Sequence, residues 1–404
     1  MSQIHIVQSL EALAEYLDGG GGDDTLAGPN EDATWDVQTD VSGTVNGFTY
    51  SNIANLVGGS GNDDFVVADA VNALGSVDGG AGTNSLDFRD EATTPINVII
   101  SDSSFAGTAA GKLTGTFSFV DAVFGTSAAT PDTLTGRDSV ATFAVGVVSD
   151  AYSIGASTLT FGSFESLVGG ALADTFDIQT NRTLEISGGA GNDAVIIGVD
   201  DVLTVGGAGT IDLGDDNDSV TLSVGSQIVG SIAGGLGNDS LALAASSSVT
   251  GTFDGGADVD TVDYSAISSG LTVSLTGLSG TPTDGFTGTD GGVTGGFLGI
   301  DALVAGAGTD TLVGQSVSNA RWTVNGTGTY RELSANLEAV DFSGFEQLQG
   351  GTTDDDFRLS ATAAGITAID GGTGNDFLVG GEGNDEAFGR AGDDTLLGNG
   401  GNDF

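Results

Sequence analysis

Short alternating runs dominate the chain. Leu271, Val273 and Leu275 alternate with Thr and Ser, and Ile96, Val98 and Ile100 alternate in the same way with their neighbours. Runs this brief, closed by glycine-rich stretches, predict short half-buried strands. Alternation sends the apolar set inward and the hydroxyl set outward. Phe65, Phe161, Phe164, Phe176, Phe253, Phe342 and Phe345 then belong to the core, stacked inside successive coils, and not to an exposed sugar-binding stripe. One segment breaks the pattern. Val7, Leu10, Leu13, Ala14 and Leu17 follow helical spacing and Gly19 supplies a stop, which predicts a short N-terminal helix over 1–18 capping an open sheet edge.

The strands are punctuated on a clock. Related Gly-Gly turns begin at 19, 58, 79, 169, 188, 234, 255, 305 and 350, and the chain closes on GGTGNDFLV, GGEGNDEAF, GRAGDDTLL and GNGGNDF. Many turns lie about 20 residues apart, one coil of a β-solenoid, and two nines make nearly the same length. The fold class expected is all-β, a parallel β-helix or β-roll solenoid. A longer plan lies over the short one: DTLAG, DTLTG and DTLVG at 24, 132 and 310 each lead to an aromatic residue (Trp35, Phe143, Trp322) and then to paired turns. The organisation expected is a capping helix at 1–18, supermodules at 19–131, 132–309 (extended) and 310–370, and a truncated tandem β-roll at 371–404. The break inside the last nonapeptide suggests that Phe404 is the edge of a fragment or of the ordered region.

Composition narrows the chemistry. Of 404 residues 70 are Gly and four are Pro, while 39% are hydrophobic, which suits tight-turned sheets better than a disordered linker. Fifty-six acidic residues against eight basic ones leave a formal charge of −48, so nucleic acid and anionic membranes are excluded as partners. The aspartates cluster just after the glycine turns, where divalent cations would relieve the self-repulsion. No cysteine and one histidine, His5, rule out disulfides, thiolate metal centres and a histidine triad. No apolar run reaches membrane-spanning length and no cationic, then apolar, leader opens the chain.

The nonapeptides resemble the GGxGxDxUx repeat of RTX proteins, the calcium-binding family of exported bacterial toxins, proteases, lipases and adhesins. The residues support the resemblance on their own terms. Glycines at positions 1, 2 and 4 free the backbone to turn carbonyls toward a cation, Asp at position 6 adds a hard anionic oxygen, and the apolar residue at position 8 belongs to the strand. Calcium, with six to eight oxygen ligands in a tolerant geometry, suits such mixed turns better than magnesium.

The resemblance implies alternate nonapeptides stacked on each side of a roll with ions between the turns. Asp376 and Asp394 would line one edge, Asp385 and Asp403 the other, with carbonyls of Gly371, Thr373, Gly380, Glu382, Gly389 and Ala391 completing the shells. Upstream, Asp355 would stack under Asp376, Asp174 under Asp193 and Asp239 under Asp260. Asp63 would face Asn84, a weaker ligand, and Asp24 and Asp310 would serve their own turns. PDTLTG at 131 lacks the glycine pair and reads as structural.

The expected function follows: a secreted calcium-binding structural or adhesive protein, no enzyme, exported without an N-terminal signal peptide by a type I route to the bacterial surface or medium. It would stay open at cytosolic calcium and fold outside, where ions neutralise its carboxylates. About 20 coils at about 4.8 Å would make a rod on the order of 90–100 Å. The rod would act as a stalk, or as a surface-layer module that self-associates through calcium or meets a cell-surface glycan or protein. The alternative is a polysaccharide-active β-helix enzyme or its calcium-binding accessory module, since paired carboxylates suffice for glycoside hydrolysis.

Overall fold

The computed structural model describes residues 4–6, 16–279, 285–333, 339–360 and 365–404. Among them there is no helix; short strands alternate between faces of a parallel β-solenoid, with apolar side chains inside. The chain divides into two compact units, residues 1–177 with 183–189, and residues 178–182 with 190–404.

In the first unit the strands Thr25–Ala27, Asn55–Val57 and Val77–Asp78 stack in parallel register on one face, Leu26 beside Leu56 and Leu56 beside Val77. Asp63–Val67, Ser85–Asp87 and Ala122–Phe124 stack on the other, Phe65 beside Leu86 and Leu86 beside Val123. Ordinary coils are interrupted by three-stranded antiparallel meanders. One (Ala33–Thr39, Ser42–Val45, Phe48–Ser51) lies on the second face. The next (Asn97–Ile100, Gly107–Ala110, Phe117–Ser118) lies on the first face, and the third (Ala141–Val145, Asp150–Ile154, Ser157–Gly162) on the second again. Strands pile at about 4.8 Å, so a meander that adds strands to one face alone would tilt the stack. Alternating the meanders between faces restores the balance.

The second unit contains coils of two kinds. From 202 to 257 each coil carries a third short strand, the set Val202–Val205, Gln227–Val229 and Ser248–Val249 forming its own parallel sheet. Successive position-6 aspartates there lie 21 residues apart. In the tail the third side disappears. Ala368–Asp370, Phe377–Val379, Glu386–Phe388 and Thr395–Leu397 alternate between two faces, and the aspartate spacing drops to 18. The nonapeptide tail is thus a two-sided roll and the 21-residue body a three-sided helix. Meanders recur at Thr272–Leu278, Phe286–Thr289 and Phe297–Ile300, and at Ala320–Asn325, Thr327–Glu332 and Ala339–Ser343.

Each DTLxG segment meets an aromatic pair contributed by the meander after it. Trp35 stacks on Phe65 at 5.1 Å with Tyr50 against its edge; Phe143 stacks on Phe176 at 4.9 Å with Tyr152 beside it. Trp322 stacks on Phe357 at 5.1 Å with Tyr330 at its edge. Gly28, Gly136 and Gly314 lie against these rings; a Cβ would collide with them at Gly28 and Gly314 and crowd them at Gly136. In two cases the tyrosine hydroxyl accepts the amide of the next residue, Arg137 at 2.8 Å and Gln315 at 3.1 Å. The seven phenylalanines assigned to the core are all buried.

The N-terminal segment departs from expectation at both ends of the described part. Ile4–Ile6 is a strand paired with Thr25–Ala27, and Tyr16–Asp18 a strand paired with Phe48–Ser51. An adjacent sheet edge offers these residues backbone partners, and β-branched isoleucines favour extended backbone. Residues 7–15, the centre of the expected helix, lie outside the described residues.

If the aromatic pairs hold the meanders to the coils, Trp322→Ala should lower unfolding free energy by about 3–5 kcal/mol. Val148→Ala, at an exposed meander tip, should change it by less than about 0.5 kcal/mol. Urea unfolding of both variants at one calcium concentration checks this; equal midpoints would contradict it.

Candidate metal centre in the stacked turns

Except at the end of the tail, the position-6 aspartates do not point into solvent. Asp24, Asp63, Asp174, Asp193, Asp239, Asp260, Asp310, Asp355, Asp376 and Asp385 are all buried, Asp394 is half-buried and Asp403 exposed. Nor are they independent of one another. Along the body the backbone N–H of one aspartate donates to Oδ1 of its counterpart in the following coil: Asp193 to Asp218 at 2.7 Å, Asp218 to Asp239 at 2.8 Å, and Asp239 to Asp260 at 2.7 Å. In the tail the same bond runs from Asp355 to Asp376 and from Asp376 to Asp394, both 2.9 Å, and from Asp385 to Asp403 at 3.2 Å. Asp63 donates to Asn84 Oδ1 at 2.9 Å. Asp174 and Asp193 fall in different compact units.

The ladder continues where the nonapeptide does not. Asp132 of PDTLTG is buried and accepts the amide of Ile96 at 2.8 Å; Asp310 accepts that of Leu271 at 2.8 Å. Where a meander coil follows, another acid takes over as acceptor: Asp121 for Asn84, Glu165 for Asp132, Asp301 for Asp260 and Glu346 for Asp310.

Two parts of the arrangement escaped the sequence reading. Asp218 stands in the ladder between Asp193 and Asp239, although its turn, LGDDND, begins with Leu213. The visible clue was an aspartate directly before the strand Ser219–Leu222. The second is a counter-running ladder at position 5. Here the N–H of the later coil donates to the side chain of the earlier one: Asn217 to Asn192, Asn238 to Asn217, Val259 to Asn238, Asn375 to Asp354, Asp393 to Asn375 and Asn402 to Asn384. The frequent Asn-Asp pair at positions 5 and 6 was its signal.

Whether the turns suit a cation is decided by their second carboxylate oxygens and their glycines. Oδ2 of Asp218, Asp239, Asp260, Asp310 and Asp376 is buried and has no hydrogen-bond partner. An unpartnered buried carboxylate oxygen is costly, so these atoms call for a cation or a proton. Around them no side chain intrudes. A Cβ on Gly371 would lie 2.5 Å from Asp376 Oδ2, and one on Gly255 2.6 Å from Asp260 Oδ2. A Cβ on Gly372 would overlap the carbonyl of Gly351, and one on Gly374 would lie 2.5 Å from that of Thr353. Carbonyl oxygens of one turn therefore press on the bare glycines of the next, beside the aspartate. Among the described residues no three acidic or histidine side chains converge as a metal cluster. A cation here would draw on few carboxylates and on backbone oxygen, a donor set that fits calcium.

Of the carbonyls expected as ligands, that of Ala391 accepts the amide of Gly374 at 2.9 Å and that of Gly380 accepts Asn399 Nδ2 at 2.8 Å. Burial raises the carboxyls above the usual range, Asp218, Asp260 and Asp355 to about 7 and Asp174 and Asp239 to about 6. Neighbouring aspartates of the stack add to the rise at Asp218 and Asp260.

The family model of the RTX calcium-binding nonapeptide repeat matches four copies, over residues 14–28, 295–316 and 370–404. Those segments include the turns at 19–24 and 305–310 and all four turns of the tail. No curated protein is similar enough to the chain to count as a match.

The raised carboxyls have a consequence for metal-free protein. An aspartate whose folded pKa is about 7 binds a proton between about pH 4 and 7 that the unfolded chain has already released. Its folded state is favoured below that window and loses the advantage as pH rises through 7. In chelator, the urea midpoint should therefore climb as pH falls from 7 toward 4, and Asp218→Asn should make the climb shallower. A midpoint that falls on acidification would contradict the burial of these groups.

Proposed function

We propose, for a chain that carries RTX calcium-binding nonapeptide repeats, that it is a secreted structural or adhesive protein whose acidic solenoid sets and stiffens on extracellular calcium. The observation that supports this most directly is the row of buried aspartates whose Oδ2 atoms lack a partner beside bare glycines and backbone carbonyls. Asp218, Asp239, Asp260 and Asp376 would hold the ions, joined by Asp394 and Asp403 in the tail and by Asp24, Asp193 and Asp310 in their own turns. Carbonyls of Gly371, Thr373, Gly380, Glu382, Gly389 and Ala391 would supply further oxygens. Bound calcium supplies charge: it neutralises carboxylates that otherwise repel one another across the stack.

The switch is a matter of concentration. Extracellular modules bind calcium with dissociation constants of about 10⁻⁴–10⁻³ M, so cytosolic calcium leaves the sites empty during export. At a hundredfold excess over Kd each site adds about 2.7 kcal/mol to the folded state, and several sites together decide folding. The ladder aspartates are already committed to amides of their own stacks, which supports a structural role over glycoside hydrolysis. The −48 charge supports calcium-bridged contact between acidic faces, as in a surface layer.

Circular dichroism should show β structure in millimolar calcium and a partial loss in excess chelator at neutral pH; an unchanged spectrum would sink the switch. Static light scattering decides between stalk and layer. A stalk stays monomeric in both conditions, whereas a layer module forms assemblies that chelator dissolves.

A further inference from the structure

The turns that look alike in sequence adopt two backbones. In the turns at 213–218, 234–239, 255–260 and 371–376, positions 2 and 4 both lie in the left-handed region. The φ values are 114° and 78° for Gly214 and Asp216, 112° and 114° for Gly235 and Gly237, 99° and 81° for Gly256 and Asp258, and 89° and 136° for Gly372 and Gly374. In these turns Oδ2 of Asp218, Asp239, Asp260 and Asp376 is buried without a partner. At 371–376 the position-2 amide has turned away, to Asp370 Oδ1 at 3.1 Å.

In the turns at 58–63, 169–174, 350–355 and 380–385 neither position is left-handed. There the position-2 amide donates to the aspartate of its own turn: Gly59 to Asp63 at 2.9 Å, Gly170 to Asp174 at 2.6 Å, Gly351 to Asp355 at 2.8 Å and Gly381 to Asp385 at 2.8 Å, each to Oδ2. Composition does not sort the two groups, since GGSGND falls in one and GGLGND in the other. What sorts them is the coil beneath. Gly59, Gly170 and Gly351 rest on the carbonyls of Pro29, Arg137 and Gln315, which follow DTLxG segments, whereas Gly235, Gly256 and Gly372 rest on the position-2 glycine of another Gly turn.

We propose that these are two working classes of turn: open turns that require a cation, and self-capped turns that use their own position-2 amide in its place and start each stack without metal. The proposal rests on the calcium reading above. It withdraws Asp63, Asp174, Asp355 and Asp385, expected as ligands from the sequence, and keeps Asp218, Asp239, Asp260 and Asp376 among the side-chain ligands. In a turn lying on a non-glycine loop the position-2 glycine stays out of the left-handed region, and its own N–H is the available partner for Oδ2. Each self-capped turn then presents ordered carbonyls to the next coil, and the first cradle forms above it. Chelated protein would keep these starters and loosen the open turns stacked on them.

The test compares Asp260→Asn and Asp355→Asn in the full chain, counting bound calcium by equilibrium dialysis with atomic emission. Asp260→Asn should lose about one ion per chain. Asp355→Asn should keep the wild-type count but unfold at lower urea in chelator, because its carboxamide offers an N–H where the Gly351 amide needs an acceptor. Loss of an ion in Asp355→Asn, or a full count in Asp260→Asn, overturns the division while leaving the calcium reading intact; wild-type protein that binds no calcium overturns both. Hydrogen exchange on wild-type protein gives a second readout that no folding defect can obscure. In chelator the amides of Gly59, Gly170, Gly351 and Gly381 should exchange at least tenfold more slowly than those of Gly214, Gly235 and Gly256, and equal rates overturn the proposal.

Discussion

The bond on which the structure turns joins a backbone amide of one coil to the aspartate side chain of the next. A β-solenoid has strong ladders along its faces, but its corners are where consecutive coils could slip or splay. Here the corners from Asp193 to Asp260 are each pinned by a buried acceptor, and the bond is short at every rung. The position-5 ladder runs the other way, so from Asp193 to Asp260 stacked turns are tied by two side chains, one reaching down and one reaching up. A register shift of a single residue would break both. The glycines follow from this arrangement, since a carboxylate folded back over position 1 leaves no room there for a side chain.

The ladder has an electrostatic cost that explains the remainder of the design. Several carboxylates lie in one buried row; desolvation raises Asp218, Asp239, Asp260 and Asp355, and the charges beside them add to the rise at Asp218 and Asp260. One oxygen of each is satisfied by the amide of the neighbouring coil. The other must find a cation, a proton or a second amide, and the turns differ in which of these they can reach. Low pH and calcium should therefore act in the same direction on the open turns, since both discharge the same oxygens. The hydrophobic layer inside the corners, with Trp35, Phe143 and Trp322 stacked on Phe65, Phe176 and Phe357, does not depend on that choice.

Much of the architecture was legible because its signals are local. Alternation marked the strands, the nine-residue clock marked the turns, and DTLAG, DTLTG and DTLVG marked the three aromatic cassettes. The nonapeptide also named nearly every buried aspartate. What it left out had physical reasons. Asp218 was hidden because Leu213 stands where the motif wants Gly, while the geometry asks only for an aspartate one residue before a strand. The position-5 asparagines drew no reading, because the nonapeptide pattern leaves position 5 open and their partners lie 18 to 25 residues away. The meanders were invisible for the same reason: an antiparallel strand inserted into a parallel stack has the same alternation as its neighbours. At the N-terminus helical spacing over a few leucines was outweighed at Ile4–Ile6 and Tyr16–Asp18 by the sheet edges beside them.

The state of a turn is thus not a property of its nine residues. GGEGND at 380 and GGTGND at 371 differ by one residue at position 3, yet Gly381 donates to Asp385 while Gly372 donates to Asp370. The difference lies beneath: Gly372 sits on Gly351 of another turn, and Gly381 faces Ser360. A motif scan scores both alike because it reads along the chain, while the carbonyls that make a cradle come from one coil earlier. In a solenoid the unit that carries chemistry is therefore the interface between two stacked turns. Its composition depends on the coil beneath as much as on the repeat itself, so two turns of nearly one sequence can hold their aspartates in different ways.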